Sequence, residues 1–243
     1  MSSAIADIIA RLQREILPLQ GYKPHPNAES IDVGLGRIKQ AFPNNTFPLG
    51  AVHEFCCTGA EDVSATAGFI AAILGSLMRD GGVALWISSS RTVFPPSLQS
   101  FSIQPDKIVF IDLKKQKDVM WAMEEALKCD GLAAVVGEIS EVSFTASRRL
   151  QLAVEKSRVT GFLVRINPRN INTTACVTRW KISCLPSMLH DQMPGVGFPK
   201  WHVELLKVRN GRPGYWQVEW RGGYLRHASK LSAIPYIEKK KTG

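Results

Sequence analysis

The sequence lacks the patterns that define metal-binding, secreted and membrane proteins. Its five cysteines include no C-x-x-C pair and have no histidine at ligand spacing, so we expect reduced thiols and no metal site. No apolar run approaches the length that crosses a bilayer. The first residues, MSSAIADIIARLQREI, mix charged and apolar side chains as an amphipathic helix does and a signal peptide does not. These absences predict a cytoplasmic protein.

Acidic residues are also in short supply. The formal net charge is +9 and the isoelectric point is about 9.5. Such an excess of positive charge favours contact with polyanions, most often nucleic acid. The alternative is a basic surface that contacts only solvent. Charge alone leaves both interpretations open.

The segment Gly59–Thr66, GAEDVSAT, lacks two residues of a phosphate-binding loop. Such a loop reads G-x-x-x-x-G-K-[ST] between a strand and a helix. Here an apolar stretch precedes the segment, and a helix of small residues is predicted from Ala65 to Met78. Ser64 replaces the second glycine, whose backbone freedom the loop needs, and Ala65 replaces the lysine. The sequence therefore keeps the setting of a nucleotide site without its main positive charge.

Apolar and amphipathic segments alternate through most of the chain. AVHEFCC, VALWIS, IVFIDL, GLAAVVGEI and GFLVRI are continuous apolar runs, typical of buried parallel strands, and helical patterns lie between them. ACVTRWKISCL, WHVELLKVRN and YWQVEW instead alternate apolar and polar residues, and NGRPG predicts a hairpin turn between the last two. The order predicts an α/β fold whose mainly parallel sheet gains antiparallel strands at one edge.

Composition divides the chain into three parts. Residues 1–30 are predicted to form the amphipathic helix and a linker rich in proline, glycine and polar residues. Residues 31–221 are predicted to form the α/β core. Residues 222–243 are predicted to be a basic, partly apolar tail.

The order of elements resembles the RecA-like core, and FPLGAVHEF stands where RecA proteins lead into their phosphate-binding loop. A narrower resemblance, to the ImuA family of RecA- and SulA-like error-prone repair proteins, rests on LWISSS…FPPSL, WAMEEALK, VVGEI and SRRLQLAVE. It implies a three-layer α/β/α core. It also implies an accessory role in damage-induced translesion DNA synthesis and mutagenesis within the SOS response, together with ImuB, an inactive relative of Y-family polymerases.

The resemblance locates the positions that ATP hydrolysis needs. Thr66 matches the hydroxyl that holds Mg²⁺, whereas Ala65 supplies no charge to the phosphates. Ser90 falls where the water-positioning glutamate would be, and Gly137 falls where the metal-binding aspartate would be, with Glu138 one residue later as a possible substitute. We therefore expect no ATPase activity and no cofactor. Weak ATP or Mg²⁺ binding at the helix N-terminus stays open.

Three arginines are candidates for weak DNA contact. Arg165, Arg169 and Arg179 flank NPRNINTTA, which lies where RecA carries its second DNA-binding loop. This loop is short, and no room remains for the first one. The departure argues against strand exchange and filament formation but leaves non-specific contact with single-stranded DNA open.

Partner-binding candidates lie on two helices and in the tail. Trp121 is expected in the core, with an exposed anchor as the alternative, and adjacent Arg148 and Arg149 must point to different sides of their helix. The tail candidates are its large apolar residues: Tyr224, Leu225, Leu231, Ile234, Tyr236 and Ile237.

Three functions fit these features. The favoured one is a non-catalytic adaptor that binds an ImuB-type polymerase homologue, with RecA as a further candidate partner. The second is a weak nucleotide-dependent ATPase that binds single-stranded DNA. The third is a SulA-like inhibitor of cell division, against which the long basic tail argues.

Overall fold

The computed structural model describes residues 31–187 and 197–227. The predicted N-terminal helix and linker, and the tail beyond residue 227, lie outside the described residues. The tail candidates Leu231, Ile234, Tyr236 and Ile237 lie outside them for the same reason.

A nine-stranded sheet organises the described residues, in the order β3-β2-β4-β5-β1-β6-β7-β8-β9. Its strands are β1 (Val52–Cys57), β2 (Val83–Ser88), β3 (Ile108–Asp112), β4 (Leu132–Ile139), β5 (Thr160–Ile166), β6 (Thr178–Leu185), β7 (Lys200–Val208), β8 (Gly214–Arg221) and β9 (Tyr224–His227). The strands from β3 to β6 pair in parallel, and the last four pair antiparallel. The predicted mainly parallel sheet with an antiparallel extension is confirmed.

Helices cover both faces of the parallel part. They are α1 (Gly59–Leu77), α2 (Gln116–Ala126) and α3 (Phe144–Ser157), and short 3₁₀ helices span Gly36–Ala41, Pro43–Asn45, Pro95–Phe101 and Pro105–Lys107. One cluster of buried side chains joins α1 to the sheet, and a second joins α2 and α3 to the opposite face. The arrangement is the three-layer α/β/α core that the resemblance implied.

β1 lies at the centre because all six of its residues are buried. Phe55 faces α1, where its ring stacks on Trp180 with centroids 6.0 Å apart. Val52 lies in the cluster under α2 and α3. A strand that is buried on both faces needs a layer of helices on each side, and the mostly apolar run AVHEFCC predicts such a central strand.

His53 is a core residue of β1 with a complete set of partners. It is fully buried, its Nε2 lies 2.8 Å from the carbonyl oxygen of Pro48, and its Nδ1 lies 2.7 Å from Oγ1 of Thr178. Since a carbonyl only accepts, Nε2 carries the proton and Nδ1 accepts from the threonine. The Trp180 indole N–H donates to the same Thr178 oxygen at 2.7 Å. Burial lowers the pKa of His53 from 6.5 to about 4, so the ring is neutral at pH 7.

Within the described residues, α1 alone has the length and hydropathy of a membrane span, with 19 residues and a mean hydropathy of 1.2. The expectation that no apolar run reaches this length was therefore wrong. Phe69, Ile70 and Ile73 of this helix are fully buried against the sheet. α1 is thus apolar because it is the buried central helix of one layer.

The sheet continues past the predicted core boundary at residue 221. β9 pairs with β8, and Leu225 lies opposite Trp220 with its side chain buried. Leu225 is consequently a core residue and is unavailable to a partner, which corrects its prediction as a tail anchor. Tyr224 on the same strand is exposed. Neighbouring residues that are exposed and buried in turn are typical of a strand with one face in the core.

Candidate functional site

The segment that resembles a phosphate-binding loop is not a loop. α1 begins at Gly59, directly after β1, so Ser64 and Ala65 lie inside the helix, and the predicted start at Ala65 was six residues too late. The Ser64 hydroxyl donates to the carbonyl of Ala60 one turn back, at 3.0 Å. The backbone N–H groups from Val63 onward are therefore placed to bond within the helix and are not free to surround phosphates. Glu61 and Asp62 stabilise this early start, because acidic side chains favour the first turn of a helix.

The N-terminus of α1 is already occupied. The N–H of Gly59 donates to the side-chain oxygen of Asn167 at 2.9 Å, and Gly59 has the positive φ of 78° that glycine tolerates best. Glu61 and Asp62 add negative charge one turn into the helix. Both features oppose the binding of a triphosphate at this end.

Thr66 is fully buried, and its hydroxyl oxygen is the one buried side-chain polar atom of the described residues without a hydrogen-bond partner. No group of three or more histidine, cysteine, aspartate or glutamate side chains in the described ranges is placed to hold a metal ion. Thr66 therefore keeps the residue type of a Mg²⁺ ligand, but the described ranges contain no such group to complete a metal site with it.

At the end of β4 the two candidate positions face opposite sides of the sheet. Gly137 faces α2, where an added Cβ would clash with Sδ of Met123. Glu138 faces the α1 layer, is buried, and accepts the indole N–H of Trp86 at 2.6 Å. Burial raises the pKa of Glu138 above its usual value. The carboxylate is thus held by Trp86, and the predicted alternative role as a metal ligand has no supporting partner.

The ends of β2 and β4 are tied together by Gln116 of α2. Its amide nitrogen donates to Oγ of Ser89 at 3.1 Å, and its oxygen accepts the N–H of Ser140 at 2.9 Å. Ser90, the position expected for a water-positioning carboxylate, is exposed beyond the end of β2. Residues 89–94 of this loop include no carboxylate to replace the missing glutamate.

A buried ionic network lies on the face of β1 opposite α1. Glu54 is fully buried, and its two carboxylate oxygens accept from Arg165 at 3.0 Å and from Arg179 at 2.8 Å. The Thr174 hydroxyl also donates to Glu54, at 2.7 Å. Arg165 contacts a second carboxylate, that of Glu141, at 3.1 Å. The burial of these charges is therefore compensated at each group.

Two of the three predicted DNA-binding arginines serve this network. Arg165 has no exposed surface, and the side chain of Arg179 is 14% exposed. They were predicted to contact DNA because they flank a polar loop. The side chains of both residues instead point into the protein, where they contact Glu54. Arg169 alone of the three is exposed, and it remains a candidate for DNA contact.

The network also holds the loop between β5 and β6 in place. Arg165 donates to the carbonyl of Asn170 at 2.8 Å, and Arg179 donates to that of Asn172 at 2.5 Å. Lys207 of β7 donates to the Thr174 carbonyl at 2.8 Å. A loop whose carbonyls are bound in this way has a fixed shape, unlike a loop that orders only when it binds DNA.

Sequence reasoning missed Glu54 as the centre of this network. The signal was an acidic residue inside an otherwise apolar strand run, together with arginines on two other strand segments. A charge buried in a strand requires a partner, and the neighbours of a central strand provide it.

The outer surface of α2 and α3 carries three of the nine predicted partner-binding residues. Trp121 of α2 is 64% exposed, so the expectation of a core position was wrong and the exposed alternative holds. Arg148 and Arg149 of α3 are both exposed. Leu152, one turn further along α3, is 52% exposed. We call this surface the α2–α3 face; its residues are Trp121, Phe144, Arg148, Arg149 and Leu152.

An ion pair joins the two helices at the centre of the α2–α3 face. Arg149 contacts Glu124 at 2.6 Å, and Lys128 contacts Glu125 at 2.6 Å on the neighbouring turn. A shallow cavity of about 480 Å³ lies beside the pair, between the C-terminal halves of α2 and α3. Apolar side chains therefore flank charged groups of both signs on this face.

Together these features define the class of protein. The strand order, the three layers and the place of α1 directly after β1 form a RecA-like α/β core in which the phosphate-binding segment has become part of a helix.

No protein-family model matches the sequence. Two curated relatives do match it, both described as Protein ImuA of Caulobacter vibrioides, from strains NA1000 / CB15N and ATCC 19089 / CB 15. Each is 32% identical over 201 residues, covering 78% of this chain and 82% of the relative. The chain belongs to the ImuA family.

Proposed function

We propose that this protein is a non-catalytic adaptor in damage-induced mutagenesis, which binds an ImuB-type polymerase homologue during translesion DNA synthesis. Membership of the ImuA family supports the damage-induced role. We further propose that the adaptor acts in the cytoplasm and that RecA is a second partner.

The observation that carries the non-catalytic part is the position of α1. A helix that starts at Gly59 takes up the N–H groups from Val63 onward in its own hydrogen bonds, Asn167 holds the N–H of Gly59, and Ala65 offers no charge to a phosphate. Positioning and charge stabilisation are the main contributions of a protein to phosphoryl transfer, and this segment supplies neither.

The α2–α3 face is the proposed contact with the polymerase homologue. Trp121 and Leu152 lie within one helical turn of Glu124 and Arg149, respectively, so each exposed apolar side chain lies beside one partner of the ion pair between the helices. Exposed aromatic side chains beside arginine are the residue types that dominate binding energy at protein interfaces.

Retention of the partner tests this proposal. The chain is tagged and mixed with the purified ImuB-type protein, and binding is measured for wild type, Trp121→Ala and Leu152→Ala. Each substitution is expected to weaken binding about tenfold or more, as truncation of an interface anchor does. Tyr215→Ala is the matched control, because Tyr215 is 76% exposed on β8, away from these helices.

The controls decide between a lost contact and a damaged fold. All three variants should unfold at the wild-type urea concentration, since the altered side chains are exposed. Undiminished binding by both α2–α3 variants, with intact folds, would place the contact elsewhere and contradict the proposed surface.

The tail is proposed to add to this contact. Its apolar residues Leu231, Ile234, Tyr236 and Ile237 occur among basic ones and suit docking into a partner groove. Truncation should remove residues 228–243 and spare β9, because Leu225 belongs to the core.

A further inference from the structure

The two edges of the nine-stranded sheet differ in whether the described residues cover them. At one edge, β9 lies against the 3₁₀ helix Gly36–Ala41, where an added Cβ at Gly36 would be 3.6 Å from the carbonyl oxygen of Leu225. At the other edge, β3 pairs with β2 on its inner side, and among the described residues β2 is the only element in extensive contact with it. Within the described structure, β3 is therefore an open edge strand.

The outer side of β3 presents backbone groups that have no partner in the described residues. The N–H of Leu113 donates to the carbonyl of Ser88 at 2.9 Å, and in a parallel ladder every second residue bonds to the same neighbour. The residues in step with Leu113 therefore bond to β2, whereas the N–H and C=O groups of Phe110 and Asp112 point away from β2. A row of unpaired backbone groups is a template to which another strand can add.

The side chains of β3 offer contacts on both faces of the sheet. Val109 lies on the same face as α2 and is 46% exposed, so an apolar side chain of an added strand would meet it there. On the other face, the guanidinium of Arg91 lies 4.9 Å from the centre of the Phe110 ring and bonds to Asp112 at 2.6 Å. β3 contains no proline or lysine, which commonly block pairing at an edge. The residues of this strand therefore permit pairing.

Unpaired lysines flank β3 at both ends. All four are exposed and form no ion pair within the described residues: Lys107, Lys114, Lys115 and Lys117. Two exposed aspartates, Asp106 and Asp118, lie among them, so the four lysines leave a net charge of +2. The ion pair of Arg91 with Asp112 adds no net charge. A strand that carries carboxylates at its ends would match this charge.

We propose that the outer edge of β3 binds an extended segment of a partner protein by strand addition, and that this segment carries apolar residues between acidic ends. The backbone of the segment pairs with Phe110 and Asp112, an apolar side chain covers Val109, and its carboxylates contact the flanking lysines. The backbone of β3 makes this pairing without the α2–α3 face, so the inference does not depend on the proposed adaptor function.

Amide exchange measured by NMR on the full-length protein tests the pairing. The probe is a peptide of about ten residues, alternating valine and threonine with two glutamates at each end. At saturation it is expected to slow exchange of the Phe110 and Asp112 amides about tenfold or more, because both N–H groups gain a partner. The amide of Ile111, which already bonds to β2, should change little. A peptide with two central prolines cannot complete the ladder and should give no protection.

Paired variants test the role of the flanking lysines. Lys114→Glu with Lys115→Glu reverses two charges beside the edge and should weaken binding of the labelled peptide about tenfold or more, measured by fluorescence anisotropy. Lys39→Glu with Arg212→Glu makes the same change in net charge at exposed positions near the covered edge. This control pair should leave binding within about twofold of wild type, because solvent screens charges at that distance.

Three results would overturn the proposal. The first is no binding, or binding that leaves the amides of Phe110 and Asp112 unprotected. The second is slow exchange of these amides in the free protein: a dependence on protein concentration would indicate pairing with a second copy, and its absence would indicate a segment of the same chain. The third is an equal loss of binding in both charge variants, which would mean that the acidic ends do not recognise this edge.

Discussion

β1 and the segment that follows it differ in how fully their polar groups are used. In β1, His53 and Glu54 are both fully buried, and each has hydrogen-bond partners at its side-chain polar atoms. In Gly59–Thr66, the acidic side chains lie at the start of a helix, and the Thr66 hydroxyl is buried without a partner.

This comparison between β1 and Gly59–Thr66 distinguishes residues that the fold requires from residues that only nucleotide binding and hydrolysis would require. A buried charge without a partner costs several kcal/mol, so the fold itself constrains Glu54 and its arginines. Ala65 is buried, so a lysine there would benefit a bound phosphate but would have to bury its charge, and the stability of α1 does not require it. Loss of the lysine therefore leaves the fold intact.

The largest expected effect is at Glu54. Glu54→Gln leaves Arg165 and Arg179 with no carboxylate at the centre of the network, and it should lower the free energy of unfolding by about 3–5 kcal/mol. Urea denaturation measures the change. Glu61→Gln at the exposed start of α1 is the control and should change stability by less than about 0.5 kcal/mol.

A cost at Glu54 below about 1 kcal/mol would mean that solvent reaches the arginines and that the network is not buried in solution. The comparison with Glu61 would then lose its basis. If Glu54→Gln does not fold at all, the double change Glu54→Leu with Arg165→Met tests the same point, because removing both charges avoids part of the penalty.

The second effect depends on pH and comes from His53. The unfolded chain binds a proton at this histidine below pH 6.5, whereas the folded chain does so only near pH 4, because burial lowers the pKa. Stability from this group is therefore complete above pH 6.5 and is lost as the pH falls toward 4. The loss is about 3 kcal/mol in total, at about 1.4 kcal/mol for each unit of pKa difference.

Parallel urea titrations of wild type and His53→Gln from pH 7.5 to pH 4 isolate this contribution. The variant is less stable at pH 7.5, since the hydrogen bonds to Pro48 and Thr178 change, but the gap should narrow on acidification. A constant gap across the range would show that His53 has an ordinary pKa and is not buried in solution.

The smallest expected effect is on ATP turnover, where the prediction is no change at all. Wild type and Thr66→Ala should both show Mg²⁺-dependent phosphate release at the background rate. The paired change Ser64→Gly with Ala65→Lys should not create activity, because Asn167 still holds the N–H of Gly59, and Glu61 and Asp62 still oppose a bound triphosphate. Turnover by wild type that Thr66→Ala abolished would restore the ATPase hypothesis.

Strands and layers could be predicted from the sequence because their signals are local. Runs such as VALWIS and IVFIDL are apolar throughout, and the period changes to two after Asn167. The start of α1 could not be predicted in the same way. Its segment resembled a loop motif, and the resemblance outweighed the helix-favouring acids in its first turn.

The candidate site was harder to predict because its contacts join distant parts of the chain. Arg165 and Arg179 read as surface residues of a polar loop until β1 is placed beside β5 and β6. Trp121 has neighbours on its helix that resemble a core face, and its exposure depends on the angle at which α2 meets the sheet. Neither the pairing of strands nor the angle of α2 can be predicted from a short stretch of sequence.

The central position of β1 has a consequence for synthesis. Its neighbours in the sheet, β5 and β6, come late in the chain, and His53 lies 125 residues before its partner Thr178. At about 5–20 residues per second, the ribosome needs roughly 6–25 s to add these residues, during which both edges of β1 lack their final partners. A six-residue buried strand left unpaired for that time is a template for misassociation, so we expect the nascent chain to depend on chaperones more than its modest length suggests.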